Sequence, residues 1–283
     1  MTRPLVSLVL LVMLPCFSAN AQDKFIEDYS IALSFGARSV ARTPLAASYL
    51  DFMNYISVDD PYFVAYQYLN LTGRFNFRGK WQGEAIINFN DSHLSYTLQA
   101  QRMFTDRFGI NMGLFSLSQY ILGHEDYYRN RRSPGLVDKV NQRFGNIRDV
   151  GILLGPSYYI TGKLGFVDTR LNVGLSSTQP FTESYLLFVE GSNFRQRVLY
   201  ETEYSFSPFF SPELTAGVYL FRGKKSTLGV QGRFLWYTSR PHIPYQQTTY
   251  TWTLEDAAAQ SISPKQSPYR RMEYDIGLFL YFH

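Results

Sequence analysis

The chain has 283 residues, with 27 basic against 23 acidic side chains, a single cysteine, 22 tyrosines and 23 phenylalanines. A formal charge of +4 is too mild to imply nucleic acid or another polyanion as a partner. Mean hydropathy is slightly negative, and after the N-terminus no segment has the about 20 consecutive apolar residues of a membrane-spanning helix, which excludes a helical membrane protein.

The chain opens Met-Thr-Arg, runs apolar from Leu5 to Phe17, and continues Ser18-Ala19-Asn20-Ala21-Gln22. A basic start, a short apolar stretch and an Ala-x-Ala site predict a secretory signal peptide over 1–21, cleaved after Ala21, and one domain over 22–283. Cys16 raises a lipoprotein alternative; Pro15, where such signals want a small residue, speaks against it. Cleavage removes the only cysteine, so disulfides are excluded from the mature chain. Export, low hydropathy and an aromatic content of 17% point to a membrane β-barrel, whose amphipathic rings sit at the two lipid–water interfaces.

In a barrel wall successive residues face lipid and lumen in turn. Tyr29, Ile31, Leu33, Phe35 and Ala37 alternate with Ser30, Ala32, Ser34, Gly36 and Arg38. Leu69, Leu71, Phe75 and Phe77 follow, then Trp81, Ala85, Ile87 and Phe89, then Leu94, Tyr96, Leu98 and Ala100, each with polar residues between. Further rows are Phe108 to Leu114, Val150 to Ile160, Val167 to Leu175, Val198 to Phe206, Leu214 to Leu220, Leu228 to Trp236 and Met272 to Phe282. Gly79-Lys80, Thr105-Asp106 and Gly162-Lys163 read as tight turns, whereas 39–61 and 121–149 are long connections. The expectation is an all-β, transmembrane antiparallel barrel of about 12 strands, with short periplasmic turns and long extracellular loops. A water-soluble β-sandwich is the competing fold.

Two layouts reach twelve. In one, Tyr185 to Val189 is a wall strand, Arg222-Gly223-Lys224 a periplasmic turn and 239–270 one outer loop; in the other, Thr248 to Leu254 is a strand and 239–244 is periplasmic. The first is preferred, because its turns repeat the Gly-Lys chemistry of the earlier ones. Two outer loops carry helix punctuation: Thr43-Pro44 ahead of Leu45, Tyr49, Phe52 and Met53, and Ser133-Pro134 ahead of Leu136, Val137, Val140 and Phe144, closed by Gly145.

The last segment places Met272, Tyr274, Ile276, Leu278, Leu280 and Phe282 on one face. Asp275, Gly277, Leu280 and Phe282 have the spacing of the C-terminal assembly signal, and here the chain resembles bacterial outer-membrane β-barrel proteins. The resemblance covers the architecture of the whole mature chain and implies that the barrel-assembly machinery recognises this strand, which then closes the barrel against the first one. His283 departs from the pattern, since Phe282 is penultimate.

Parity sends Arg74, Arg78, Glu84, Gln99, Asn111, Asp168, Arg170, Arg197, Glu201, Glu203, Arg233, Glu273 and Asp275 towards the lumen. With about twelve strands the interior lies between a packed core and an aqueous channel, so these mixed charges either pair and seal it or line a narrow polar passage. His93-Leu94-Ser95 resembles in spacing the His-x-Ser pair of lipid-acting outer-membrane enzymes, which would make His93 a base and Ser95 a nucleophile. Parity turns both towards the lumen, away from acyl chains. Neither His124-Glu125-Asp126 nor Asp59-Asp60 forms a coordination shell. The expectations are therefore no catalytic site, no cofactor and no metal. Outer-membrane lipid and lipopolysaccharide surround the barrel in this view, and the function is a narrow solute channel or ligand-binding barrel. The alternatives are a structural or partner-binding envelope barrel whose outer loops form the contact surface and, third, a lipid-acting enzyme.

Overall fold

A strand with one apolar and one polar face needs a partner at both edges, and closing the sheet on itself removes the edges altogether. The computed structural model describes residues 26–42, 62–90, 93–120, 139–144, 146–188, 195–251, 258–266 and 269–283. Ten strands close into an antiparallel barrel: β1 (Ile26–Arg42), β2 (Tyr62–Phe77), β3 (Trp81–Asn90), β4 (His93–Met103), β5 (Phe108–Tyr120), β7 (Asn146–Thr161), β8 (Gly165–Thr178), β11 (Ser205–Arg222), β12 (Ser226–Ser239) and β15 (Tyr269–Phe282). The first and last strands seal the wall, in a register running from Tyr29 opposite Phe282 to Arg42 opposite Tyr269.

The remaining five strands, β6 (Lys139–Phe144), β9 (Thr182–Phe188), β10 (Arg195–Thr202), β13 (His242–Thr251) and β14 (Ala258–Gln266), form a separate sheet in the order β14-β13-β10-β9-β6. The wall thus has ten strands and not about twelve. The two strands removed from the expected count are β9 and β10, which pair with β6 and β13 instead of with the wall. Arg222-Gly223-Lys224 does lie at a turn, and most of 239–270 lies outside the barrel as the β13–β14 hairpin. The first expected loop helix and the signal peptide fall outside the described residues. Of the second helix, Lys139–Phe144 is strand β6, because pairing with β9, Val140 opposite Leu187 among them, outweighs the local capping signal.

Both described ends of the chain and the turns 78–80, 104–107, 162–164 and 223–225 lie at one end of the barrel. The tightest carries Gly79 at φ 77° and Lys80 at φ 64°, the left-handed conformation that glycine adopts without cost. The second sheet stands at the opposite end, fastened to the rim where Glu203 N donates to Pro244 O at 3.0 Å and Ser205 Oγ to His242 O at 2.6 Å.

The phase of the alternation reverses at that rim. On β11 the outward Phe206 is 74% exposed while Ser205 and Ser207 point inward; on β10 Tyr200 is buried and Glu201 exposed. β13 follows β10, with Ile243 and Tyr245 inside and His242 and Gln246 outside. The link Glu203-Tyr204 makes the switch. The barrel therefore turns apolar residues outward, whereas the described side chains of β10 and β13 turn mainly polar ones outward.

Candidate functional site

The lumen is the site that the fold assembles. Alternate residues of β8 send Asp168, Arg170 and Asn172 inward, leaving Val167, Leu171 and Val173 exposed outside, and the other wall strands do the same. A barrel of this size has no room for bulk water around each charge, so every charge brought in needs a partner.

Five guanidinium groups meet five carboxylates. In the lower half Arg74 Nη2 donates to Glu84 Oε1 at 2.7 Å and lies 3.4 Å from Asp168 Oδ2. Arg170 contacts Glu84 through Nη1 and donates through Nη2 to Asp168 Oδ2 at 2.6 Å. Gln99 carries the network upward, accepting from Arg170 Nη1 at 2.8 Å and from Asn111 Nδ2 at 2.7 Å, and donating to Glu213 Oε2 at 3.4 Å. Arg233 Nε donates to Glu213 Oε1 at 2.6 Å, with Nη1 3.9 Å from Asp275 Oδ2, which also accepts from Tyr68 Oη and Asn70 Nδ2, both at 3.3 Å. Higher still, Arg38 and Arg271 both pair with Glu273.

Apolar layers cap this slab on both sides. Val40, Phe115, Leu117, Leu153, Phe209 and Tyr237 pack across the lumen on the loop side, Phe115 edge-on to Phe209 at 5.3 Å. On the turn side Phe166 and Phe279 pack at 5.6 Å with Tyr159, Tyr219 and Tyr281 against them. A cavity of about 40 Å³ remains beside Arg271, room for two or three waters at most. Beside the lower aromatic layer, and reaching Arg74, lies a chamber of ≈ 570 Å³ at the turn end.

Of the residues expected in the lumen, Arg74, Glu84, Gln99, Asn111, Asp168, Arg170, Arg233, Glu273 and Asp275 meet in this network. Four stand elsewhere, and these are corrections. Arg78 is exposed in the first turn; Glu201 is exposed on β10, and Glu203 is exposed in the link after it, because that segment has left the wall. Arg197 is likewise on β10, with its side chain outside the described residues. The network also holds Arg38, Glu213, Arg271, Tyr68 and Asn70, which the expected set lacks. Their lumen parity, opposite to Ala37, Leu214, Met272 and Leu69, was the signal available. Asp275, Gly277, Leu280 and Phe282 all lie on β15, between β1 and β12.

Ser95 is buried, and its Oγ accepts from Ser118 N at 3.0 Å, which ties the hydroxyl to the neighbouring strand; the side chain of His93 lies outside the described residues. Among the described residues no group of three His, Cys, Asp or Glu side chains is placed to hold a metal ion.

The barrel has an apolar outer belt, a polar lumen, short turns at one end and a second sheet with outward polar residues at the other. The chain is a closed antiparallel β-barrel with the general architecture of outer-membrane barrels. No protein-family model matches it, and no curated protein matches it. Among solved structures it is similar to the outer membrane protease OmpT from Escherichia coli, at TM-score 0.40 and 10% identity over 94% of this chain and 99% of that one. It is also similar to the outer membrane protein OprG from Pseudomonas aeruginosa, at TM-score 0.32 and 10% identity over 90% of this chain and 96% of that one. The Ralstonia pickettii toluene transporter TbuX aligns at TM-score 0.32 and 10% identity, over 91% of this chain and 90% of that one. What they share with this chain is general barrel form.

Proposed function

We propose that this chain is exported by a signal peptide cleaved after Ala21, folded through its C-terminal strand by the barrel-assembly machinery, and embedded in the outer membrane as a non-enzymatic binding barrel. Lipopolysaccharide and phospholipid surround its belt. The second sheet then stands outside the cell as a contact surface for a ligand or partner. The reversal of phase at Glu203-Tyr204 supports the membrane position, since lipid ends where polar residues begin to face outward.

The observation that carries the binding reading over the channel reading is the closed lumen. A solute on the barrel axis meets the layer of Phe115 and Phe209, then five ion pairs' worth of buried charge, then Phe166 and Phe279. Displacing part of a paired, buried network costs several kcal/mol, which is incompatible with rapid passive flux. The Ser95 hydroxyl, committed to Ser118, supports the non-enzymatic reading.

The experiment is conductance in planar bilayers, with folding verified by heat-modifiable gel mobility. Folded protein is expected to give no unitary steps. Regular steps from the folded protein would reject the binding reading in favour of the narrow channel.

A further inference from the structure

We propose that the chamber at the turn end binds an acidic saccharide, a sugar ring bearing a carboxylate or phosphate. At ≈ 570 Å³ it falls within the about 300–1,000 Å³ of small-ligand pockets. Its inner end is formed by Phe166, Phe279, the rings of Tyr219 and Tyr281, and Arg74, which lies over Phe166 and is already paired with Glu84. Its wall carries Ser30, Asn76, Gln82, Thr161, Thr227 and Gln231, side chains that can each both donate and accept hydrogen bonds. Among the described residues no Asp or Glu lines it.

Three features select the ligand. The buried Asn76 Oδ1 has no hydrogen-bond partner among the described residues, although Asn76 Nδ2 contacts Asp28; a ligand hydroxyl supplies the missing donor. Arg222, at the mouth, is exposed, lies 4.3 Å over the Tyr219 ring and donates to Gly162 O at 3.0 Å, and among the described residues no carboxylate pairs with it. Around the mouth the turns carry Arg78, Lys80, Arg107, Lys163, Lys224 and Lys225, against Asp106, which pairs with Lys80 at 3.2 Å, and Glu27 and Asp28 on β1, the second in contact with the chamber-lining Asn76. A cleft whose rim carries an excess of one sign of charge draws in ligands of the other sign. A bare inorganic anion leaves the aromatic end unused, and a wholly apolar ligand strands the wall's amides and hydroxyls. A sugar acid satisfies all three: one apolar ring face for the aromatic rings, hydroxyls for the amide wall, and an anion for Arg222.

Only the periplasmic origin of the ligand rests on the membrane reading above; the chemistry rests on the chamber. The test is calorimetric titration of the purified, folded full chain in detergent micelles with glucuronate, glucose and inorganic phosphate. Because no bilayer is involved, failure here leaves the conductance test untouched. Glucuronate is expected to bind saturably and at least tenfold more tightly than glucose. Arg222→Gln should erase that preference, and Gln82→Trp, which fills the mouth, should weaken both sugars at least tenfold. Absence of saturable glucuronate binding overturns the proposal. So does equal competition by phosphate, which would make it a bare anion site, or displacement by phosphatidylglycerol, which would make it a lipid headgroup site. Unchanged binding by folded Gln82→Trp would place the sugar elsewhere and also overturn it.

Discussion

Replacing Arg170 with Met tests whether the lumen is held together by its charges. The side chain is 3% exposed and donates to Asp168 at 2.6 Å and Gln99 at 2.8 Å, besides its contact with Glu84. Methionine keeps much of the volume and removes the charge. Glu84 then retains Arg74 at 2.7 Å, but Asp168 is left with Arg74 alone at 3.4 Å, so the lower cluster passes from neutral to one excess negative charge. Stranding a buried charge in this way costs about 3–5 kcal/mol, a large part of a typical total stability of about 5–15 kcal/mol. The companion variant Arg170→Met/Glu84→Gln restores neutrality, leaves Arg74 with Asp168 and is expected to recover at least half of the loss. The assay is urea unfolding in detergent micelles, followed by tryptophan fluorescence and gel mobility, arranged as a double-mutant cycle. A loss below about 1 kcal/mol for the single variant, where a stranded buried charge demands several, would refute the reasoning. So would strictly additive losses in the cycle.

Ile276, 65% exposed at the middle of the outward row of β15, reports on the belt: Ile276→Arg should destabilise the protein in phospholipid vesicles by about 2–4 kcal/mol. If unfolding from vesicles shifts by less than about 0.5 kcal/mol, as at a water-exposed site, the belt does not face lipid. Lys80 holds φ 64° beside Gly79, so Lys80→Asn should gain up to about 1 kcal/mol while Lys80→Ala gains nothing. Equal unfolding midpoints for Asn and Ala would show that backbone strain is absent from that turn. The exposed Lys80–Asp106 pair contributes little to either comparison.

Much of the wall was legible because a period of two is a local property. Leu33, Phe35, Leu171, Val173 and Leu278 stand outside, as their spacing requires, and Arg74, Glu84, Asp168 and Arg170 stand inside. The apolar layers inside the lumen were harder to see. Phe115, Phe166, Phe209 and Phe279 occupy lumen positions next to outward apolar residues, so the binary pattern merely looks blurred there, although these rings cap the ion slab. Glu213, Arg38 and Arg271 had the right parity, but the importance of Arg38 comes from a partner at the far end of the chain, Glu273, and that of Glu213 from Arg233 on the next strand.

The amino-acid sequence by itself determined that the chain makes amphipathic strands joined at one end by tight turns, and which side chains on most wall strands share a face; each of these depends on neighbours a few residues apart. Tertiary structure alone decided that ten strands close the wall while β9 and β10 leave it, since alternation says nothing about which edge a strand will meet. It also decided that ion pairs bridge the lumen: Arg170 reaches Glu84 across 86 residues of chain, and such pairing exists only once the register around the whole ring is set.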